Sequence, residues 1–199
     1  MEDKIKSSPT YKLELKAAQQ KASKPLLWVG VLSIVMLFAG LTSAYVVRAD
    51  NGNWLIFNLP NAFYLSTAVI VTSSITLFFA MQMAKKDNKK GIVLGLLVTF
   101  ILGIVFTYFQ FVGYGELHDK HIFFAGKSAN ASGSFLYILT FLHLLHLFAG
   151  LISLLVTLKN GIQGKYNAQN TLGLELCSIY WHFLDILWVY LFLFLYYIR

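Results

Sequence analysis

The sequence predicts an all-α integral membrane protein, a bundle of five transmembrane helices. Of its 199 residues, 57% are hydrophobic, whereas soluble domains contain roughly 45–50% apolar residues. The apolar residues form five long blocks separated by short polar stretches. About 20 consecutive apolar residues are enough for a helix to cross a bilayer, and each of the five blocks reaches that length.

The predicted spans are residues 26–47, 62–83, 91–112, 134–158 and 172–197. They form a single transmembrane domain, residues 26–199, preceded by a polar tail over residues 1–25. In that tail a mobile segment is favoured over an amphipathic helix between Tyr11 and Ala22. The tail is longer than the charged region of a secretory signal, and the span that follows has full length, so an uncleaved first helix is expected.

The positions of lysine and arginine predict the orientation. Twelve of them lie in the tail and in the loops after the second and fourth spans, against four on the other side. Because cytoplasmic loops are enriched in Lys and Arg, the N-terminus is predicted in the cytoplasm and the C-terminus in the periplasm. The same pattern explains the net charge of +7, so no nucleic-acid partner is expected.

Small residues predict close contacts between helices, since membrane helices associate mainly through packing. In the first span these are Gly40 and Ala44. In the third span they recur at every fourth position, at Gly91, Gly95, Thr99, Gly103 and Thr107. The second span has hydroxyl side chains but no acid or base, and no chemistry is assigned to it. The lone cysteine, Cys177, excludes an intramolecular disulfide.

The last two spans carry ionisable residues, which are costly in lipid and should face protein or an internal water-filled space. In the fifth span, Glu175 and His182 differ by only ~20° around the helix axis, and Asp185 by ~60° from His182. The fourth span places His143 and His146 at a similar mid-membrane depth.

Two interpretations of these residues remain open. The HxxH and HxxD patterns could bind a metal ion. Alternatively, they form a hydrogen-bonded clamp in which Asp185 pairs with His143, His146 or His182, directly or through one water, and the clamp is favoured. Glu175 lies near the cytoplasmic surface, where headgroups, water or Lys159 could partner it.

The loop predicted over residues 113–133 contains a second polar group. It consists of Glu116, His118, Asp119 and His121. A surface metal site is one interpretation of this group, and solvated side chains are favoured over it.

Three motifs resemble subunit III of haem-copper respiratory oxidases. The fifth span contains Glu175 followed by the run YWHFLDILW, which includes Trp181 and Trp188. The fourth span contains FLHLLH followed by Gly150, and the first contains MLFAG followed by Ala44-Tyr45. Gln110 with Tyr114 is a weaker match. The motifs occur in family order, and the five spans are typical of bacterial members.

The resemblance implies a non-catalytic subunit III of an aa3-type cytochrome c oxidase, in aerobic electron transport in the bacterial inner membrane. Such a chain packs against oxidase subunits I and II, and the haem and copper belong to those partners. It carries no cofactor of its own, and bound phospholipid is expected. The residues expected to form its metal-free polar cluster, associated with structure and lipid, are His143, His146, Glu175, His182 and Asp185. Those expected to pack against helices or subunits are Gly40, Ala44, Gly91, Gly95, Gly103, Trp181 and Trp188.

The chain departs from the family pattern at two positions, because Ile34 and Gly113 stand where family members often have Glu. A structural role is therefore favoured over a proton relay. The alternatives are subunit III of a quinol oxidase, an accessory subunit of nitric oxide reductase, an autonomous membrane metalloenzyme or a small transporter. The electron donor, the haem type and membership of a respiratory supercomplex stay open.

Overall fold

Five long α-helices make up the fold in a computed structural model, which describes residues 9–50, 52, 54–126, 130–167 and 169–198. They are α1 Pro9–Ala49, α2 Asn61–Lys85, α3 Lys89–Asp119, α4 Ala131–Ile162 and α5 Leu172–Tyr197. All five contain a stretch long and apolar enough to cross a membrane. The predicted all-α architecture with five spanning helices is therefore confirmed.

Three helices extend well beyond the predicted spans. α1 begins at Pro9, so much of the segment predicted as a mobile tail is helical. α3 continues to Asp119, and α4 runs from Ala131 to Ile162. The expected loop from residue 113 therefore begins only after Asp119. Lys4, Lys6, Lys127 and Arg199, which contribute to the predicted orientation, lie outside the described residues.

α2, α3, α4 and α5 form a ring in which each helix contacts the next and α5 closes against α2. α1 lies outside this ring and contacts α4 and α5 but not α2. α5 thus touches three other helices and is the most buried of the five, whereas α1 is the least buried. Any polar side chain on the inner surface of α5 must find its partner on one of these neighbours.

α2 and α3 form a tight antiparallel hairpin. The turn between them is short because Asp87 adopts a left-handed conformation (φ 54°) and the Asn88 side chain accepts a hydrogen bond from the Gly91 amide at 3.1 Å. A Cβ atom added at Gly95 would lie 2.7 Å from Cβ of Ala80 in α2. α2 and α3 therefore approach each other closely at Gly95.

The other small residues divide into two groups. A Cβ atom at Gly91 would lie 2.7 Å from the Met83 side chain, and one at Gly103 would lie 2.7 Å from the Trp181 ring. In contrast, a Cβ atom at Gly40 would meet nothing within 4 Å, and Ala44 is exposed. The first-span pair therefore does not pack against the described parts of its own chain, and its packing with another subunit stays a prediction.

Candidate functional site

A polar cluster joins α2 to α5 in the middle of the bundle. The Ser74 hydroxyl donates a hydrogen bond to Oδ2 of Asp185 and lies 3.0 Å from Nδ1 of His182. Asp185 is only 3% exposed, whereas His182 and Ser74 are half-buried. We refer to these three residues as the Ser74 cluster.

The Ser74 hydroxyl is shared between two neighbours. It donates its proton to Asp185, and the same oxygen contacts Nδ1 of His182. The second ring nitrogen, Nε2, donates or accepts according to the tautomer and has no hydrogen bond to a described residue. Oδ1 of Asp185 is buried without a hydrogen-bond partner among the described residues.

Among the described residues, Asp185 bonds to none of the three histidines named in the predicted clamp: its partner is Ser74, and His182 contacts that same hydroxyl. His143 is fully buried between the rings of Phe106 and Trp188, at centroid distances of 6.0 and 5.1 Å, and neither of its nitrogens has a described partner. His146 bonds through Nδ1 to the Leu142 carbonyl at 2.7 Å. Helix rise predicts depth but not the direction in which a side chain faces a neighbour, so equal depth did not produce contact.

The metal interpretation receives no support from this geometry. Within the described ranges, no group of three or more His, Cys, Asp or Glu side chains could hold a metal ion. His143 and His146 are directed to aromatic rings and to their own helix instead of toward the Ser74 cluster.

Two tryptophans fasten α5 to α2 on either side of the Ser74 cluster. The indole N–H of Trp181 donates to Oγ of Ser73, and that of Trp188 donates to Oγ1 of Thr67, both at 3.0 Å. Both hydroxyls also donate to the carbonyl of a residue three or four positions earlier in α2. Both tryptophans were predicted to pack against helices or subunits, and the helix to which they bond is α2.

The contribution of α2 was not identified from the sequence, which assigned it no chemistry. The available signal lay in α5, where Trp181, Asp185 and Trp188 are four and three residues apart and so share one helix face. Their partners on α2, which are Ser73, Ser74 and Thr67, do not repeat that spacing, so the sequence did not show that the two faces meet.

Glu175 lies at the other end of α5, in its first turn. Its carboxylate contacts Nζ of Lys24 at 2.5 Å and accepts a hydrogen bond from Thr171 at 2.6 Å. The partner is therefore a residue of α1, and not Lys159 as one alternative proposed. Both side chains are partly exposed, so this ion pair is expected to contribute only ~0–1 kcal/mol.

Glu116 has a structural role that corrects its interpretation as a solvated loop residue. It lies in the last turns of α3 and accepts hydrogen bonds from the backbone amides of Asn61 at 2.8 Å and Ala62 at 3.2 Å. These amides begin α2 and have no partner within their own helix. A carboxylate at a helix N-terminus also interacts favourably with the helix dipole.

The two positions where the family often has Glu are apolar in this fold. Ile34 packs against the hydrophobic core. Gly113 is buried, and a Cβ atom there would overlap the Phe63 ring. Neighbouring polar residues still join helices, since Gln110 donates to Ser66 at 2.9 Å and Tyr114 to Thr140 at 3.0 Å.

Comparison with known proteins gives consistent similarities. A family model described as cytochrome c oxidase subunit III matches residues 55–199. The chain is 35% identical to a Nocardia farcinica protein named "Probable cytochrome c oxidase subunit 3", covering 87% of this chain and 86% of that protein. It is 29% identical to "Cytochrome c oxidase subunit 3" of Thermostichus vulcanus, covering 85% and 84%. It is also 32% identical to "Cytochrome bo(3) ubiquinol oxidase subunit 3" of Pseudomonas aeruginosa, covering 83% and 79%.

Proposed function

Because the chain belongs to the cytochrome c oxidase subunit III family of haem-copper oxidases, we propose that it is the non-catalytic subunit III of a bacterial aa3-type cytochrome c oxidase. In this role it stabilises the haem-copper subunit I, next to subunit II, in aerobic respiration. Haem and copper reside in those partners.

The observation that carries this proposal is that the mid-membrane polar groups join one helix to another. The Ser74 cluster and the two indole hydrogen bonds all join α5 to α2. Such contacts fix the position of one helix against another and add stability. A rigid bundle of this kind supports a neighbouring catalytic subunit without taking part in electron transfer.

The proposal also includes orientation and lipid. The end of the bundle that carries Lys24, Lys85 and Lys159 is placed in the cytoplasm of a bacterial inner membrane. A groove of about 360 Å³ runs between α1 and α5 and is lined mainly by apolar side chains such as Val35, Phe38 and Phe183. Its shape and lining suit a phospholipid acyl chain. Among the predicted lipid-associated residues, only Glu175 lies at headgroup depth, whereas His143 and Asp185 are buried.

The test is purification of the intact oxidase through an affinity tag on another subunit. We expect this chain to co-purify in a fixed ratio, and the complex to show the absorption of a-type haem and to oxidise reduced cytochrome c. Absence of this chain from every terminal oxidase of the membrane would overturn the proposal.

A quinol oxidase is the second candidate, because the Pseudomonas aeruginosa relative is named as a subunit of a ubiquinol oxidase. The same preparation separates the two candidates. Oxidation of quinol without oxidation of cytochrome c would favour the second one.

A further inference from the structure

The surface on which the Ser74 cluster reaches the outside of the bundle lies between α2 and α5. On α2, Val71, Ser74 and Phe78 share one face, since they are three and four residues apart. On α5, His182, Ile186 and Leu193 share the adjoining face, since they are four and seven residues apart. We call these six residues the α2–α5 face. α1 does not cover its α2 side, since the described parts of α1 and α2 make no contact, and Ile186 at its edge also lines the groove between α1 and α5.

The α2–α5 face combines exposed apolar side chains with one incompletely bonded polar group. Val71, Phe78, Ile186 and Leu193 are all exposed large hydrophobic residues, with Ile186 reaching 70%. His182 lies ten residues from the start of α5, which is ~15 Å along the helix and therefore near the middle of a bilayer. A half-exposed imidazole at that depth is unfavourable against lipid tails.

The second ring nitrogen shows what would satisfy this imidazole. Nδ1 is directed to Ser74, and the described residues make no hydrogen bond to Nε2. Nε2 is a donor in one tautomer and an acceptor in the other, so its partner must be a polar group. A lipid tail has no such group, whereas a transmembrane helix with a hydroxyl or amide side chain can both donate and accept.

The α2–α5 face is also rigid enough to act as a docking surface. The indoles of Trp181 and Trp188 hold α5 against α2 through their hydrogen bonds to Ser73 and Thr67. Contacts that already exist before association reduce the entropy lost on binding. The outer surface of α3 differs from the α2–α5 face, since α3 carries no acidic or basic residue between Gly91 and Gly115.

We propose that the α2–α5 face is the surface on which a transmembrane helix of another oxidase subunit packs, with a hydroxyl or amide side chain directed at Nε2 of His182. This inference rests on the proposed function and identifies the surface that performs it. The occupant is a helix that combines an apolar surface with one hydroxyl or amide side chain at mid-membrane depth.

A pair of matched variants tests this surface in the complete oxidase. Val71→Trp adds an indole to the α2–α5 face, and Ile101→Trp adds one to α3, from starting residues that are 44% and 50% exposed. Lipid tails adapt to added bulk, whereas a packed helix does not. Release of this subunit from tagged oxidase in detergent should be roughly tenfold faster for Val71→Trp and unchanged for Ile101→Trp.

A third variant removes both ring nitrogens. His182→Phe keeps a ring of similar size, and release should accelerate about threefold, which corresponds to the ~0.6 kcal/mol of an average interhelical hydrogen bond. The Nδ1 contact with Ser74 is lost as well, but it lies within this subunit. A photo-crosslinking residue at Phe78, which is 55% exposed, should also form an adduct with another oxidase subunit, and one at Ile101 should not. The crosslink measures proximity directly, so it does not depend on whether a variant weakens the fold.

The outcomes distinguish this inference from the proposed function. If the unaltered chain never co-purifies with an oxidase, the proposed function itself fails. If it co-purifies but Ile101→Trp releases it as fast as Val71→Trp does, or if the residue at Phe78 crosslinks only to lipid, the docking surface is wrong while the function stands.

Discussion

Removal of the Ser74 hydroxyl should destabilise this subunit more than any other single hydroxyl deletion on α2. Ser74→Ala breaks the hydrogen bonds to Asp185 and His182 together. Oδ2 of Asp185 then joins Oδ1 in having no described partner in the bundle interior. The substitution therefore removes a hydrogen bond and also leaves a buried carboxyl group without a partner in an apolar environment.

The two effects differ in size. An interhelical hydrogen bond in a membrane contributes only ~0.6 kcal/mol on average. A buried polar group left without a partner costs ~1–3 kcal/mol, so the unpaired carboxyl group dominates. We expect the free energy of unfolding to fall by ~1–3 kcal/mol, which corresponds to about 5- to 150-fold in the unfolding equilibrium.

Thr72→Val is the matched control. Thr72 lies two residues earlier on α2, is exposed, and donates only to the carbonyl of Ala68 in its own helix. Its loss should change stability by less than ~0.5 kcal/mol, as surface substitutions usually do. Both variants can be measured by reversible unfolding of the purified subunit in mixed micelles, followed by tryptophan fluorescence.

The double variant decides whether this reasoning is correct. If the unpaired carboxyl group causes the loss, Asp185→Leu should restore stability when it is added to Ser74→Ala, because no buried carboxyl group remains. Nonadditivity of this kind is expected for residues in contact. A further loss of stability from Asp185→Leu in the Ser74→Ala background would refute the explanation.

Three other predictions concern topology, packing and the buried histidine. A reporter that is active only in the periplasm should be active when fused after Arg199 and inactive when inserted beside Lys86, and the reverse pattern would invert the proposed orientation. Gly95→Val should lower the free energy of unfolding by ~1–3 kcal/mol, because the new side chain would collide with α2. Gly115→Val should have little effect, since a Cβ atom there would meet nothing within 4 Å beyond the backbone of its own helix. Equal losses from the two glycine variants would contradict the packing argument. His143→Leu should not lower the thermal stability of the subunit. It removes two buried nitrogens that have no described partner, and with them the free-energy cost of burying unpaired polar atoms. A marked decrease in stability would reveal a partner.

The sequence alone was sufficient to predict the five helices. Spanning segments are recognised from local composition, because every backbone amide in lipid must be satisfied within its own helix. The close approach at Gly95 was also predictable, since small residues at every fourth position mark one face of α3. The family resemblance required only motifs within single helices.

Helix ends were less predictable, because the hydrophobic pattern stops where lipid stops and a helix continues as long as its backbone is satisfied. α3 extends to Asp119, and this extension brings Glu116 to the N-terminus of α2. α1 extends to Pro9 and brings Lys24 to Glu175. Both partners come from segments that sequence reasoning had assigned to a loop or a tail.

Only the tertiary structure decided which polar residues meet. The sequence placed His143, His146, His182 and Asp185 at similar depth, but depth follows from helix rise, whereas contact depends on the rotation and order of the helices around the bundle. Those are set by packing among all five helices, with α5 closing against α2. As a result the partner of Asp185 is Ser74, from a predicted span without an acid or a base, and His143 is directed at aromatic rings.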